Sequence, residues 1–202
     1  YEEGQSLTSI WAVKSLGIDP TTGKEIFLNR DGSVSDTWNA TQEVVVGNTE
    51  PKFNGSVGFN LAYKAWSLFA AFQYEWGGQE YNQTLVDRVE NARIQYQNVD
   101  LRVLTDRWKQ PGDIAQFKDI KDRGMTTLPT SRFVQDKALV RLNSLNVSYD
   151  FNRDWIKKHL RMNLLRLEAS TSDLINWSSI KQERGLSYPR SWKVEFSLKA
   201  QF

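Results

Sequence analysis

The last twelve residues, "SWKVEFSLKAQF", alternate apolar and polar without a break. Trp192, Val194, Phe196, Leu198, Ala200 and Phe202 fall on one face of an extended chain, and Lys193, Glu195, Ser197, Lys199 and Gln201 on the other. A second stretch, "FNGSVGFNLAYKAWSLFAAFQYEW", repeats the pattern twice. Phe53, Gly55, Val57, Phe59, Leu61 and Tyr63 alternate on one strand, and Trp66, Leu68, Ala70, Phe72, Tyr74 and Trp76 on the next. Only Lys64 and Ala65 separate them, which predicts a tight hairpin. The chain is therefore expected to be all-β and antiparallel.

Mean hydropathy of -0.55 and the lack of any long uncharged apolar run exclude a helical membrane bundle. They leave a membrane β-barrel open, because barrel strands alternate lipid-facing and lumen-facing residues and so average to a polar value. Net charge is +2, from 26 basic and 24 acidic residues interspersed along the chain, so no electrostatic footprint for nucleic acid is present. The chain has no cysteine, which removes disulfides, thiolate chemistry and zinc clusters. One histidine, His159, cannot build a catalytic triad, and the carboxylates Asp106, Asp113, Asp119 and Asp122 are scattered through one connection with no base beside a nucleophile. No catalytic residue, cofactor site or metal site is predicted. "NRDGSVSD" has oxygen ligands near calcium-loop spacing but lacks the bidentate Glu, and reads as a turn.

Further strands are expected at Leu7–Leu16, at "KALVRLNSLNVSYDF", with a bulge near Asn143 and Ser144 where the apolar parity switches, at Arg161–Ile175 and at Trp192–Phe202. "NRDWIKKH" reads as a polar turn. The connections run 36, 2, 60, 9 and 16 residues, a long-short rhythm that matches outer-membrane barrels, whose periplasmic turns are short and extracellular loops long. Trp66 to Trp76 at about 3.3 Å per residue and a barrel tilt spans roughly 25 Å, the height of a barrel's apolar band. Tyr63, Trp66, Tyr74, Trp76, Tyr149, Trp192 and Phe202 are then membrane-interface aromatics, since rings with one polar tip favour the headgroup level. On the opposite parity, Lys193, Glu195, Lys199, Arg166 and Glu168 are expected to form a cross-strand ion-pair lattice on a wet wall. Six strands cannot close a transmembrane barrel, so residues 1–202 are expected to be one segment of a larger barrel or to pair with another chain.

The motifs resemble a family. "EGQSLTSIWAVKSLGIDPTTGKEIF", "GNTEPKFNGSVGFNLAYKAWSLFAAFQYEWG", "DRWKQPGD", "SRFVQDKALVRLNSLNVSYDF" and "TSDLINWSS" followed by "YPRSWKVEFSLKAQF" are similar, in that order, to the C-terminal barrel portion of the SusC/RagA-type TonB-linked (TonB-dependent) outer-membrane transporters of Bacteroidetes. "DLINWSS" and "KALVRL" depart locally from the family pattern. The terminal Phe202 likewise resembles the barrel-insertion signal, which puts the C-terminus at the periplasmic side.

The resemblance implies an antiparallel transmembrane β-barrel segment, about the last six strands of a 22-stranded barrel, with the plug domain and N-terminal strands absent from these residues. It implies import of bulky nutrients, oligosaccharides or oligopeptides, across the bacterial outer membrane. The implied partners are a SusD-like surface lipoprotein as lid, TonB through the absent N-terminal part, the remaining barrel and plug, and outer-membrane lipid. Tyr81, Tyr96, Trp108, Phe117 and Trp177 fall in the expected extracellular loops, where they either contact ligand or lid or pack the loops themselves. The rivals are a soluble all-β carbohydrate-binding module, in which the apolar faces are buried between two sheets, and a small adhesin-like barrel assembled from several chains.

Overall fold

The computed structural model describes residues 2–96, 99–121, 127–151, 153–180 and 192–202. Asp122 and residues 188–191 of the "YPRSW" motif lie outside them. The chain is all-β with antiparallel sheets, and it divides into two compact units. The first comprises Tyr1–Pro51, Gly77–Lys137 and Ile180–Pro189; the second comprises Lys52–Trp76, Ala138–Ser179 and Arg190–Phe202.

The first unit holds a four-stranded sheet built from β1 (Ser9–Ile18), β2 (Glu25–Leu28), β3 (Val34–Ser35) and β4 (Glu43–Asn48), in the order β3-β2-β1-β4. The expected strand near Leu7–Leu16 is β1, shifted by two residues, and its partners are β2 and β4. Ile10, Ala12, Val13 and Ile18 are its buried residues. The three other strands lie inside what the sequence presents as a 36-residue connection. They are only two to six residues long, too short to carry a clear period. "DPTTGK" is the β1–β2 turn: Asp19 accepts from the Thr21 N–H (2.9 Å) and from the hydroxyls of Thr21 and Thr22 (both 2.7 Å), and these bonds hold its carboxyl below the usual range. "NRDGS" is the β2–β3 turn, closed the same way by Asp31 on the Ser33 N–H and hydroxyl (2.9 and 2.6 Å).

The 60-residue connection is also structured. Asn82 caps α1 (Gln83–Leu85) by accepting from Leu85 N–H at 3.0 Å, and the helix runs on into a π-helical turn, Val86–Glu90. A short helix α2 (Arg102–Thr105) follows. Leu85, Val86, Val89, Ala92, Val103, Phe117 and Phe133 form a buried cluster, in which each side chain larger than Ala92 contributes roughly 1.5–3 kcal/mol by the usual burial rule.

The second unit's sheet has the order β10-β8-β7-β6-β5, with β9 beside β7: β5 (Phe53–Tyr63), β6 (Trp66–Tyr81), β7 (Val134–Asp150), β8 (Leu164–Thr171), β9 (Asn176–Ser178) and β10 (Val194–Gln201). β6 and β7 each begin or end within the first unit's residue ranges. The β5–β6 hairpin has the predicted register, from Phe53↔Trp76 to Tyr63↔Trp66, and Lys64 takes the left-handed φ of 56° that the two-residue turn requires. Opposite the expected bulge near Asn143 the pairing is interrupted: β7 pairs with β9 at Arg141↔Asn176 and with β8 at Leu145↔Thr171, so the extra residue lies in the segment between β8 and β9 rather than on β7. Gly55 lies opposite Tyr74, whose hydroxyl covers it at 2.7 Å from where a Cβ would sit.

One expectation is corrected here. The polar turn "NRDWIKKH" is a helix, α3 (Arg153–Leu160). Its residues are mostly good helix formers. Asp154 sits in the first turn and Lys157, Lys158 and His159 in the last, which complements the helix dipole, and Ile156 is fully buried.

Candidate functional site

The second unit presents a wall with two unlike faces. Cross-strand pairing places Phe53, Val57, Phe59, Leu61 and Tyr63 on the same face as Trp66, Leu68, Ala70, Phe72, Tyr74 and Trp76. In the same way Leu145, Val147 and Tyr149 share a face with Leu165, Leu167, Ala169, Thr171, Val194, Phe196, Leu198 and Ala200. Large apolar residues on this face are exposed: Val57 at 57%, Leu61 at 58%, Phe196 at 74% and Leu198 at 66%. A water-soluble surface rarely carries so extended an apolar patch.

The other face is polar and cross-linked. Arg166 Nη2 donates to Asp150 Oδ2 at 2.7 Å across the β7–β8 pair, Asn146 Nδ2 donates to Glu168 Oε1, and Asn143 Nδ2 donates to Gln73 Oε1 at 3.3 Å. Lys193 pairs with Glu195 two residues along the chain (2.6 Å), while Lys199 stands opposite Arg166. The lattice is partly the one expected. The sequence singled out Arg166 and Glu168 but missed their partners Asp150 and Asn146, because partner identity depends on inter-strand register.

The interface aromatics fall at both ends of this sheet. At one end Trp66 packs on Tyr149 (ring centroids 4.8 Å) and Tyr149 meets Phe151 edge-on (5.1 Å). Tyr63 and the exposed Phe202 lie at the same end, since Tyr63 pairs with Trp66 and the Asn163 N–H bonds the Gln201 carbonyl (2.6 Å). Trp76 pairs with Phe53 at the opposite end, with Tyr74 two pairs further in and the exposed Trp192 just before β10.

In the first unit a cavity of about 440 Å³ is lined by residues from four segments, among them Lys24, Glu25, Phe27, Asp36, Trp38, Lys118, Leu128 and Thr130. Its floor is apolar and its edge mixes both signs of charge. The Trp38 indole N–H is fixed on the Pro129 carbonyl (3.0 Å). The Thr130 hydroxyl, on a residue 1% exposed, has no hydrogen-bond partner among the described residues.

Beside the cavity, Arg132 bridges Glu25 (2.8 Å) and Glu90 (2.7 Å). Burial by itself would lower the proton affinity of the guanidinium, but the two carboxylates more than offset this and raise its pKa above the ordinary arginine value. Glu25 thus enters the cavity lining ion-paired to a cation that it shares with Glu90. Nothing in the sequence pattern marks Glu25, Glu90 or Arg132 as a unit, since 65 residues separate the two acids.

The five loop aromatics divide. Phe117 belongs to the buried cluster, and Tyr81 packs against that cluster and meets Phe133 edge-on at 6.0 Å. Trp108 is buried, with its indole N–H on the Pro20 carbonyl (2.8 Å) and its ring against Gly23. Only Tyr96 and Trp177 remain exposed, and two of the five are strand rather than loop residues: Tyr81 ends β6 and Trp177 lies in β9 opposite Val140. Packing therefore accounts for Phe117, Trp108 and Tyr81. Among the described residues, Asp113 and Asp119 cap local backbone N–H groups and no carboxylate or histidine cluster capable of holding a metal is present.

Neither a protein-family model nor a curated protein matches the sequence. Solved structures do. The chain is similar to a chain in "Structure of the RagAB peptide transporter", at 18% identity and a TM-score of 0.74, over 96% of this chain and 23% of that one. The RagAB peptide importer in its open-open state matches at 17% identity and a TM-score of 0.73, and in its closed-closed state at 18% and 0.71, each over 96% of this chain and over 22% and 23% of the other. The chain thus has the all-β fold of the RagAB peptide transporter structures along almost its whole length, and spans under a quarter of the chain it matches in them.

Proposed function

We propose that residues 1–202 are the C-terminal barrel portion of a SusC/RagA-type TonB-dependent importer, embedded in the bacterial outer membrane with the C-terminus at the periplasmic side. The observation that carries the reading is the apolar face of the second unit, on which Val57, Phe59, Leu61, Trp66, Tyr74, Leu167, Val194, Phe196 and Leu198 stay exposed; a soluble carbohydrate-binding module would bury it. The ordered motifs and the RagAB-like fold support it further. In this reading the strands of the second unit are wall with their polar face toward the lumen, and the long connections shape the extracellular mouth. A SusD-like lipoprotein covers that mouth, and TonB acts through the part of the protein these residues do not include. The segment carries no reaction. The cargo is an oligopeptide or oligosaccharide, and the peptide cargo named for the RagAB structures favours the former.

The test is to isolate the polypeptide ending in "SLKAQF" from outer membranes, measure its intact mass and compare gel mobility before and after heating. A mass several times 23.4 kDa, heat-dependent migration and a co-purifying lipoprotein are expected. Release from membranes without detergent, with mobility indifferent to heat, would overturn the reading.

A further inference from the structure

One end of the second unit gathers cations beside an aromatic belt. The Asp150 N–H donates to the Ala65 carbonyl (2.8 Å), which brings the β5–β6 turn against the end of β7, and the Phe151 N–H donates to the Leu165 carbonyl (3.0 Å) where β8 begins. At this end Trp66, Tyr149 and Phe151 are in ring contact. Lys64, on the turn, holds its ammonium 5.2 Å from the Tyr63 ring centre. Helix α3 packs against β8 and is locked in rotation by the fully buried Ile156. Arg153 and Lys157 lie on one line of that helix with Lys158 beside them, and Arg161 follows just past its end, where the chain leaves the helix at a φ of 55°. All five cations are exposed. Against them stand two carboxylates, Asp154 on the helix and Asp150, which Arg166 already occupies.

We propose that this rim binds the phosphate of an acidic phospholipid. The reading rests on the membrane reading above and goes beyond it. The ring cluster lies at headgroup level at the end of the apolar face, where it covers glycerol and the upper acyl chain, while the cations reach the phosphate. A free phosphate ion would use the cations alone and leave the aromatic belt without a role; the lipid uses both.

The experiment takes the full-length transporter in detergent, adds phosphatidylglycerol or phosphatidylcholine, and counts retained lipids by native mass spectrometry, with inorganic phosphate as a competing ion. Phosphatidylglycerol is expected to be retained over phosphatidylcholine, with the preference falling in high salt. The combined variant R153Q/K157Q/K158Q/R161Q keeps helix propensity and is expected to weaken that preference by at least about ten-fold, from about five-fold per basic residue at a membrane surface. Equal retention of the two lipids, an unchanged preference in the variant, or full competition by millimolar phosphate would overturn the site. Heat-dependent mobility is recorded on the same samples: a protein that shows it without lipid preference fails this proposal alone, and one that lacks it fails the membrane reading beneath.

Discussion

Arg132 is the residue on which the first unit is most dependent. Its side chain and those of Glu25 and Glu90 are 11%, 8% and 0% exposed, so removing the cation leaves two buried carboxylates facing each other's environment. Arg132→Met is expected to cost about 3–5 kcal/mol, read as faster amide exchange in β2 and in residues 82–90 of the purified protein. Arg132→Lys should recover only part of this, because an ammonium cannot serve two carboxylates with planar, paired N–H groups. Gly23 is constrained in a different way: its φ is 72° and an added Cβ would sit 2.5 Å from the Trp108 ring. Gly23→Ala is expected to cost about 1–3 kcal/mol from backbone strain alone and to shift Trp108 fluorescence as the ring is displaced. At Asp19 the folded carboxyl titrates below its ordinary value of 3.8, through the Thr21 N–H first and the Thr22 and Thr21 hydroxyls next. A depressed acid stabilises above its unfolded pKa and ceases to do so as pH falls through the folded one. Exchange at Thr21 should therefore accelerate relative to the strand amides of β1 only below that ordinary value, and Asp19→Asn should abolish the difference.

At the scale of elements, the two faces of the second unit predict opposite responses to the same substitution. On the membrane reading proposed above, Phe196→Lys puts a charge on the lipid-facing side and is expected to cost roughly 2–4 kcal/mol near the bilayer midplane, seen as loss of the heat-modifiable band. Ser197→Lys, one residue on, faces the polar side and should leave that band intact; equal effects at both positions would mean that the faces are not divided between lipid and water. Elements were legible where the period was long. The eleven residues of β5 and the start of β6 emerge with the expected register because a one-residue slip would move every apolar side chain to the wrong face. Helix α3 was not legible, since eight residues rich in charge show no apolar period beyond Trp155, Ile156 and Leu160, and only the burial of Ile156 reveals a helix. β2, β3 and β4 escaped for the same reason of length.

At the scale of the whole molecule, alternation along the strands, the two-residue hairpin turn and the order of the motifs follow from the sequence alone. These properties are local: a period of two, a left-handed turn residue and a fixed order of motifs need no distant partner to be recognised. The membership of β1 in a separate four-stranded sheet, the burial of Phe117 and Trp108, and the Glu25–Arg132–Glu90 bridge were decided only in three dimensions. Each depends on contacts between residues tens of positions apart, and sequence periodicity carries no information about which distant segment supplies the partner. Strand faces were therefore readable from neighbours in the chain, whereas the loop cavity, its ion-paired Glu25 and the cation-rich rim came into view only once the chain was folded.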